Sequence, residues 1–130
     1  MNIAFVCTQN SCRSQIAEAF GKKYFNQKIN VYSAGTDPAS EINNSAVRLM
    51  KEYYSIDMEK EQYPKKLDKL PNIDILVTMG CGVKCPFVPC KKLIELNIED
   101  PAGKSDEIFL NVIAEIKGEI QKLSEQFSDL

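Results

Sequence analysis

A cysteine and an arginine stand six positions apart near the amino terminus, at Cys7 and Arg13. They lie between a short apolar run and a predicted helix, where a parallel strand ends, a helix begins and ligands bind. The unpaired N–H groups of a helix N-terminus and the planar Arg13 guanidinium suit a tetrahedral oxyanion. The same groups favour the thiolate of Cys7, a nucleophile at neutral pH. We therefore predict an oxyanion-binding loop with Cys7 at its floor, made of Thr8, Gln9, Asn10, Ser11, Cys12, Arg13 and Ser14.

Two side chains of this loop have predicted supporting roles. Ser14 could hydrogen-bond the thiolate, and Asn10 suits a backbone position of positive φ or a side-chain brace. The alternative interpretation is a buried cysteine before an ordinary helix whose first turn happens to contain an arginine.

The chain contains no histidine, which excludes Ser-His-Asp triads, Cys-His pairs and histidine zinc sites. Acid–base chemistry must therefore come from carboxylates, thiols, Lys or Tyr. With 130 residues, 44% hydrophobic and 26% charged, the chain fits one globular domain over residues 1–130. A net charge of −2 argues against a general nucleic-acid binder or a binder of anionic membranes.

Five cysteines are many for a chain of this size. No apolar run approaches the roughly 18 residues of a membrane helix, and the pattern of a secretory signal is missing at the amino terminus. We therefore expect a cytoplasmic monomer whose thiols stay reduced. In that compartment the cysteines are expected to serve catalysis or metal binding rather than a disulfide framework.

Hydrophobic patterning predicts the elements that position the loop. Strands are predicted over residues 3–6, 29–34, 73–77 and 92–96, and helices over 14–26, 45–54 and 63–70.

A last, long amphipathic helix is predicted after residue 104. Ser105 is a good N-cap, Asp106 and Glu107 stand in the first turn, and the apolar stripe runs to Phe127. Residues 80–89 contain Gly and Pro and are predicted to form an irregular loop. The alternation of elements predicts one α/β domain with a four-stranded parallel sheet flanked by helices.

Three blocks of sequence resemble one known family. They are the run from Cys7 to Glu18, the run from Val77 to Cys81 with Cys85-Pro86 after it, and the run from Asp100 to Lys104. Over nearly the whole chain they resemble the thioredoxin-coupled arsenate reductases built on the low-molecular-weight protein tyrosine phosphatase fold. One position departs from the pattern. Gln9 stands where the family usually has Gly, and a larger side chain could crowd the mouth of the loop or alter its flexibility.

The resemblance implies a chemistry with three thiols. Cys7 would attack arsenate to form a covalent adduct, and Cys81 would then attack Cys7, releasing arsenite and leaving a Cys7–Cys81 disulfide. Cys85 would pass this disulfide outward as Cys81–Cys85, where thioredoxin reduces it. A cysteine pair in a loop that contains glycine suits such thiol–disulfide exchange. The resemblance also makes Asp100 the general acid for the leaving oxygen, although an Asp-Pro pair by itself is an ordinary turn signal.

The resemblance implies no tightly bound cofactor, but some relatives bind a potassium ion beside the loop through Asn and carboxylate oxygens. The corresponding candidates are Asn10, Glu18, Ser33 and Asp57. For Glu18, a solvated charge on the first helix is the alternative.

Two other functions stay open. The first is a low-molecular-weight protein tyrosine phosphatase with the same loop. That family usually has an aromatic residue after Asp-Pro, whereas Ala102 and Gly103 follow here, and a residual phosphatase activity is expected in either case. The second is a thiol sensor or a zinc-binding module built from Cys12, Cys81, Cys85 and Cys90. In the reductase interpretation Cys12 and Cys90 serve packing or remain free thiols.

Overall fold

Four parallel strands form the central sheet, in the order β2-β1-β3-β4. The computed structural model describes residues 1–80 and 89–128. The strands are β1 (Asn2–Cys7), β2 (Asn30–Gly35), β3 (Ile75–Thr78) and β4 (Lys92–Glu95). Every neighbouring pair is parallel, which confirms the predicted four-stranded parallel sheet.

Strand β1 is buried on both of its faces, as its continuous apolar sequence predicts. Ile3 and Phe5 belong to the larger apolar cluster on one face of the sheet. Ala4 and Val6 belong to a smaller cluster on the other face. The strand that carries Cys7 at its end is therefore fixed from both sides.

Three long helices pack on the face of the larger cluster: α1 (Arg13–Tyr24), α2 (Asn44–Tyr54) and α3 (Asp106–Gln126). Each contributes fully buried side chains, such as Phe20, Met50 and Ile113. Ser105 is the N-cap of α3, and its Oγ accepts a hydrogen bond from the Ile108 N–H at 3.3 Å. The predicted last helix and its cap are confirmed. In the part of the chain that the structure describes, no helix is long and apolar enough to cross a membrane.

The opposite face of the sheet is covered mainly by irregular chain, and here one prediction is wrong. Residues 63–70 do not form a helix; only a 3₁₀ turn, Leu67–Lys69, lies in this segment, with another at Met58–Lys60. The backbone of Lys65 is already used, because its N–H donates to Asn10 Oδ1 at 3.0 Å and its C=O accepts from the Gly35 N–H at 2.8 Å. These long-range bonds replace the ones that a helix would make.

The topology places the end of β1 where a ligand is expected. The chain leaves β1 through α1 to β2 on one side and later returns to β3 on the other side of β1. In parallel sheets such a change of direction opens a crevice at the carboxyl ends of the two strands. Cys7 is the last residue of β1, so it lies at this crevice.

Candidate active site

The loop after β1 is held open by a neighbouring segment. Backbone N–H groups of residues 37–43 donate to the carbonyls of Thr8, Gln9 and Ser11 at 2.8 to 2.9 Å. In a trans peptide the N–H that follows a carbonyl points the opposite way. Because these carbonyls are drawn outward, the N–H groups after them face the inside of the loop. This is the predicted arrangement for binding an oxyanion.

Asn10 is the strained residue of the loop. Its φ is 50°, in the left-handed region, and its side chain is fully buried. Gln15 Nε2 donates to both the backbone O and the Oδ1 of Asn10 at 3.0 Å. Gln62 Nε2 in turn donates to the O and Oε1 of Gln15 at 2.9 Å. The prediction that Asn10 suits a positive φ is confirmed, and two buried amides hold it there.

The sulfur of Cys7 is buried and lies within hydrogen-bond distance of a hydroxyl group. Its Sγ lies 2.8 Å from Ser14 Oγ. Asn10 Nδ2 donates to the same Ser14 Oγ at 2.8 Å, so the hydroxyl hydrogen of Ser14 is free to point at the sulfur. The predicted Cys7–Ser14 contact is thus confirmed.

Arg13 is oriented by the ends of two other chain segments. Its Nη1 donates to the backbone carbonyls of Met79 at 2.7 Å and Ile98 at 2.9 Å. Its Nη2 faces Asp100 Oδ2 at 3.9 Å. One nitrogen therefore anchors the buried guanidinium, and the other is directed toward the pocket above Cys7. The remaining Nη2 can donate to an oxygen of a tetrahedral anion.

Asp100 lies at the rim of the same pocket. Its side chain is 56% exposed, and its Oδ1 accepts from the Ala102 N–H at 3.1 Å. The pocket has a volume of about 260 Å³ and is lined by Cys7, Thr8, Gln9, Ser11, Cys12, Arg13, Asp100 and Ala102. The structure thus brings together the loop, Cys7 and the carboxyl group that the sequence singles out.

Cys12 is a second buried cysteine that lines the pocket. It is buried, and this burial raises the pKa of its thiol far above the ordinary value, with Asp100 and Cys7 adding to the effect and Arg13 opposing it. The side chain therefore remains a thiol and does not compete as a nucleophile. Cys90 packs in the cluster on the other face of the sheet, so Cys12 and Cys90 cannot ligate the same zinc ion.

The predicted potassium site does not fit the contacts. Asn10 and Glu18, the two candidate ligands nearest the loop, already have donors as partners. Asn10 Oδ1 accepts from Gln15 Nε2 and from the Lys65 N–H, each at 3.0 Å. The Glu18 carboxylate accepts from the Ser33 hydroxyl. It also pairs with Lys22 Nζ at 2.7 Å and lies 3.8 Å from Lys65 Nζ. Because these oxygens already face N–H, O–H or ammonium donors, they are not available to coordinate a metal cation.

The remaining potassium candidate, Asp57, serves a different purpose. It is the N-cap of the 3₁₀ turn Met58–Lys60, where its Oδ1 accepts from the Glu59 N–H at 3.2 Å. Among residues 1–80 and 89–128, no group of three or more Cys, Asp or Glu side chains is placed to hold a metal ion. Glu18 is also not the solvated helix charge of the alternative prediction, since it is 3% exposed. Burial lowers the pKa of Lys65, with Glu18 opposing and Lys22 adding to this effect.

The predicted relay cysteines, Cys81 and Cys85, lie outside the described residues, and so does most of the predicted irregular loop. Gly80, the residue before Cys81, is described. It has φ 96°, and a Cβ added to it would lie 3.0 Å from Arg13 Nη1 and 2.8 Å from the Ile98 carbonyl oxygen. The chain that leads to Cys81 therefore leaves β3 beside Arg13.

Sequence reasoning missed several residues that support the loop. The most constrained is Gly35, which pairs with Cys7 in the sheet register. A Cβ there would lie 2.6 Å from the Thr8 carbonyl oxygen and 2.9 Å from the Asn10 nitrogen. A glycine at the end of a strand beside the strand of the nucleophile was the available signal. Gln15 and Lys65 gave no such signal, because their partners are distant in sequence.

Known proteins share this fold. The sequence model of the low molecular weight phosphotyrosine protein phosphatase family matches residues 2–129. An arsenate reductase of Bacillus cereus (strain ATCC 10987 / NRS 248) is 42% identical over 129 residues, covering 95% of this chain and 93% of that protein.

Two solved structures extend the likeness. An arsenate reductase in the phosphate-binding state superposes with a TM-score of 0.84 at 31% identity, covering 97% of this chain and 98% of that one. A thioredoxin-dependent arsenate reductase of Corynebacterium glutamicum gives 0.78 at 30% identity, covering 98% of this chain and 61% of that one. A match over 128 positions and a relative at 42% identity agree with the loop, sheet order and pocket described above. This chain belongs to the low molecular weight phosphotyrosine protein phosphatase family.

Proposed function

We propose that this protein reduces arsenate to arsenite with Cys7 as the nucleophile. The observation that carries the proposal is the buried Cys7 sulfur, 2.8 Å from Ser14 Oγ, at the floor of a pocket that Arg13 and Asp100 also line. The names of the relatives at about 40% identity support arsenate as the oxyanion. A structural neighbour that is thioredoxin-dependent supports thioredoxin as the source of electrons. On this proposal the enzyme is one domain over residues 1–130 and works as a cytoplasmic monomer.

The first step uses the groups that line the pocket. The inward N–H groups of the loop and Arg13 Nη2 hold the oxygens of arsenate, which places arsenic above the Cys7 sulfur. The sulfur attacks, an S–As bond forms, and one As–O bond breaks. Asp100 supplies the proton that lets this oxygen leave as water. Arsenic is still As(V) in the adduct, so this step needs no electrons.

The second step moves two electrons. The Cys81 thiolate attacks the Cys7 sulfur, the S–S bond forms, and the S–As electron pair remains on arsenic, which leaves as arsenite. Cys85 then attacks Cys81 and frees Cys7, giving the Cys81–Cys85 disulfide. The dithiol of thioredoxin reduces this disulfide by two further exchanges. What supports the relay is that Gly80, one peptide bond before Cys81, lies against Arg13 at the pocket.

The relay is tested by mapping disulfides after one turnover. Wild-type protein and the Cys85→Ser variant are reduced, treated with one equivalent of arsenate without thioredoxin, alkylated and digested. The proposal expects Cys81–Cys85 linked in the wild type and Cys7–Cys81 linked in the variant. Cys90→Ser is the matched control, since Cys90 packs on the far face of the sheet, and it should give the wild-type linkage. Arsenite release without any linkage of Cys7 or Cys81 contradicts the relay.

A slow phosphatase activity is the second candidate, and the shared loop favours it. A phosphoryl group is tetrahedral and anionic like arsenate, and Cys7 can attack it without help from a second thiol. Ala102 lines the pocket where the phosphatases usually have an aromatic residue, so an aryl substrate gains little contact there. Cys81→Ser should therefore keep slow hydrolysis of an aryl phosphate while it loses repeated turnover of arsenate. Loss of both activities in Cys81→Ser assigns Cys81 to the first step instead.

A further inference from the structure

The ammonium group of Lys65 lies in surroundings suited to a cation. Its Nζ donates to the Tyr63 carbonyl at 3.0 Å and lies 4.7 Å from the centre of the Tyr63 ring. It also lies 3.8 Å from Glu18 Oε1, and its side chain is only 14% exposed. A carbonyl oxygen, a ring face and a carboxylate are all groups that attract a positive charge.

The backbone of the same residue contacts the active-site loop. The Lys65 N–H donates to Asn10 Oδ1 at 3.0 Å, which leaves Asn10 Nδ2 to donate to Ser14 and Ser33. Lys65 thus donates its N–H to Asn10 and places its Nζ near Glu18. These are two of the oxygen groups through which a potassium ion was predicted to bind.

Glu18 is one end of a hydrogen-bond chain whose other end is Cys7. Because the Ser33 hydroxyl donates to Glu18 Oε1, Ser33 Oγ is left to accept from Asn10 Nδ2 at 3.0 Å. The second hydrogen of Asn10 Nδ2 goes to Ser14 Oγ at 2.8 Å, and Ser14 Oγ lies 2.8 Å from Cys7 Sγ. The Glu18 carboxylate at the other end of the chain is contacted by two ammonium groups, Lys22 Nζ at 2.7 Å and Lys65 Nζ at 3.8 Å. These two cations therefore hold the end of the chain.

We propose that Lys65 is the resident cation of this site: together with Lys22 it holds the Glu18 carboxylate in place, so that the chain to Cys7 holds without an added potassium ion. Lys65 is a positioning residue, because it acts on Cys7 through four other side chains. Lys22 is closer to Glu18 at 2.7 Å, but it is 35% exposed and reaches from the adjacent turn of α1. The proposal deepens the function proposed above and rests on it only for the activity measurement.

Ions from solution can reach this pair, which makes the proposal testable. Glu18, Lys22, Tyr63 and Lys65 line a surface groove of about 480 Å³, separate from the pocket above Cys7. If the groove lacked its own cation, a monovalent metal ion of suitable size could enter from solvent. Potassium and the bulky tetramethylammonium ion have the same charge, so a difference between them reports a specific site rather than ionic strength.

The test compares the wild type, Lys65→Met and Lys65→Arg in potassium chloride and in tetramethylammonium chloride of equal concentration. The control is Lys69→Met, which removes an exposed lysine from the same segment. We measure the thermal midpoint, the rate at which iodoacetamide alkylates Cys7, and the rate of arsenate reduction. The first two measurements do not require that the protein reduces arsenate, so a failure of the proposed function is distinguished from a failure of this inference.

The wild type, Lys65→Arg and Lys69→Met are expected to behave alike in the two salts. In tetramethylammonium, Lys65→Met should lose about tenfold in Cys7 alkylation rate, the lower end of what loss of an outer orienting partner costs. Potassium should restore most of that loss. Activation of the wild type by potassium overturns the inference, as does a Lys65→Met protein that alkylates at the wild-type rate in both salts. The comparison of the wild type in the two salts still tests the inference if Lys65→Met fails to fold.

Discussion

Gly35→Ala should displace the oxyanion-binding loop, although Gly35 itself supplies no group to the proposed reaction. A Cβ at this position would lie 2.6 Å from the Thr8 carbonyl oxygen, 2.9 Å from the Asn10 nitrogen and 3.0 Å from the Asn10 Cβ. The first two are backbone atoms, so no side chain can rotate away to make room. Gly35 is itself fixed in β2, where it pairs with Cys7. The loop must therefore move.

The size of the movement follows from these distances. Ordinary carbon–oxygen contacts begin at about 3.3 Å, so the Thr8 carbonyl has to shift by roughly 0.7 Å from its 2.6 Å position. Misplacing reacting groups by about 1 Å costs on the order of 100-fold in rate. We expect kcat/KM for arsenate to fall by about 10-fold to 100-fold in Gly35→Ala. Overpacking of this kind should also cost about 1 to 3 kcal/mol of unfolding free energy.

The assay follows arsenate-dependent oxidation of NADPH with thioredoxin and thioredoxin reductase, beside unfolding in urea. Gly118→Ala is the matched control, since Gly118 lies in α3 and a Cβ there meets no atom within 4 Å. That control should keep full activity and gain about 0.4 to 1 kcal/mol, because alanine restricts the unfolded chain and favours the helix. Wild-type activity in Gly35→Ala would refute the claim that this close approach positions the loop.

Three further predictions concern single contacts. Ser14→Ala should slow arsenate reduction by about 10-fold to 100-fold, because a hydrogen bond to a charged group contributes about 1.5 to 3 kcal/mol; unchanged kinetics would remove Ser14 from the support of the nucleophilic sulfur. Arg13→Lys should cost about 100-fold or more in kcat/KM, since one ammonium cannot both anchor on two carbonyls and face the oxyanion, and an unchanged KM and kcat would contradict this. The Asn2 N–H, donating at 2.7 Å, and the Lys91 ammonium hold the pKa of Asp74 below its usual range. Stability from a carboxyl of lowered pKa is present above the ordinary value near 4 and is lost as pH falls through the lowered one. Urea unfolding of Asp74→Asn should thus show a shallower loss of stability below about pH 4, and an acid limb identical to that of the wild type would contradict it.

The sheet could be predicted from the sequence because its strands are short apolar runs, a pattern that neighbouring residues alone reveal. The run 3–6 became β1 (Asn2–Cys7), and the weaker run 92–96 became β4 (Lys92–Glu95). The segment 63–70 was predicted wrongly because its apolar spacing suits a helix, while its backbone bonds to Asn10 and Gly35 come from far along the chain. Local sequence patterns contain no information about such distant hydrogen-bond partners.

The same distinction holds for the active site. Cys7, Ser14 and Arg13 are close in sequence, and their arrangement follows once a strand is known to precede the loop and a helix to follow it. Asp100 lies far along the chain, and only the family resemblance pointed to it. The occupation of Glu18 by lysine ammonium groups could not be predicted, because Lys65 meets it only after the sheet and the segment before β3 have packed together.

The most direct measurement of the central claim is arsenate-dependent NADPH oxidation by the wild type and by Cys7→Ser, with thioredoxin and thioredoxin reductase present. The account predicts that the wild type forms arsenite in equimolar amount to the NADPH consumed, since each reduction uses two electrons. It predicts no oxidation above the enzyme-free rate in Cys7→Ser, because a neutral hydroxyl lacks the nucleophilicity of the thiolate. A wild-type protein that consumes no NADPH under these conditions, or a Cys7→Ser protein that forms arsenite at the wild-type rate, would contradict it.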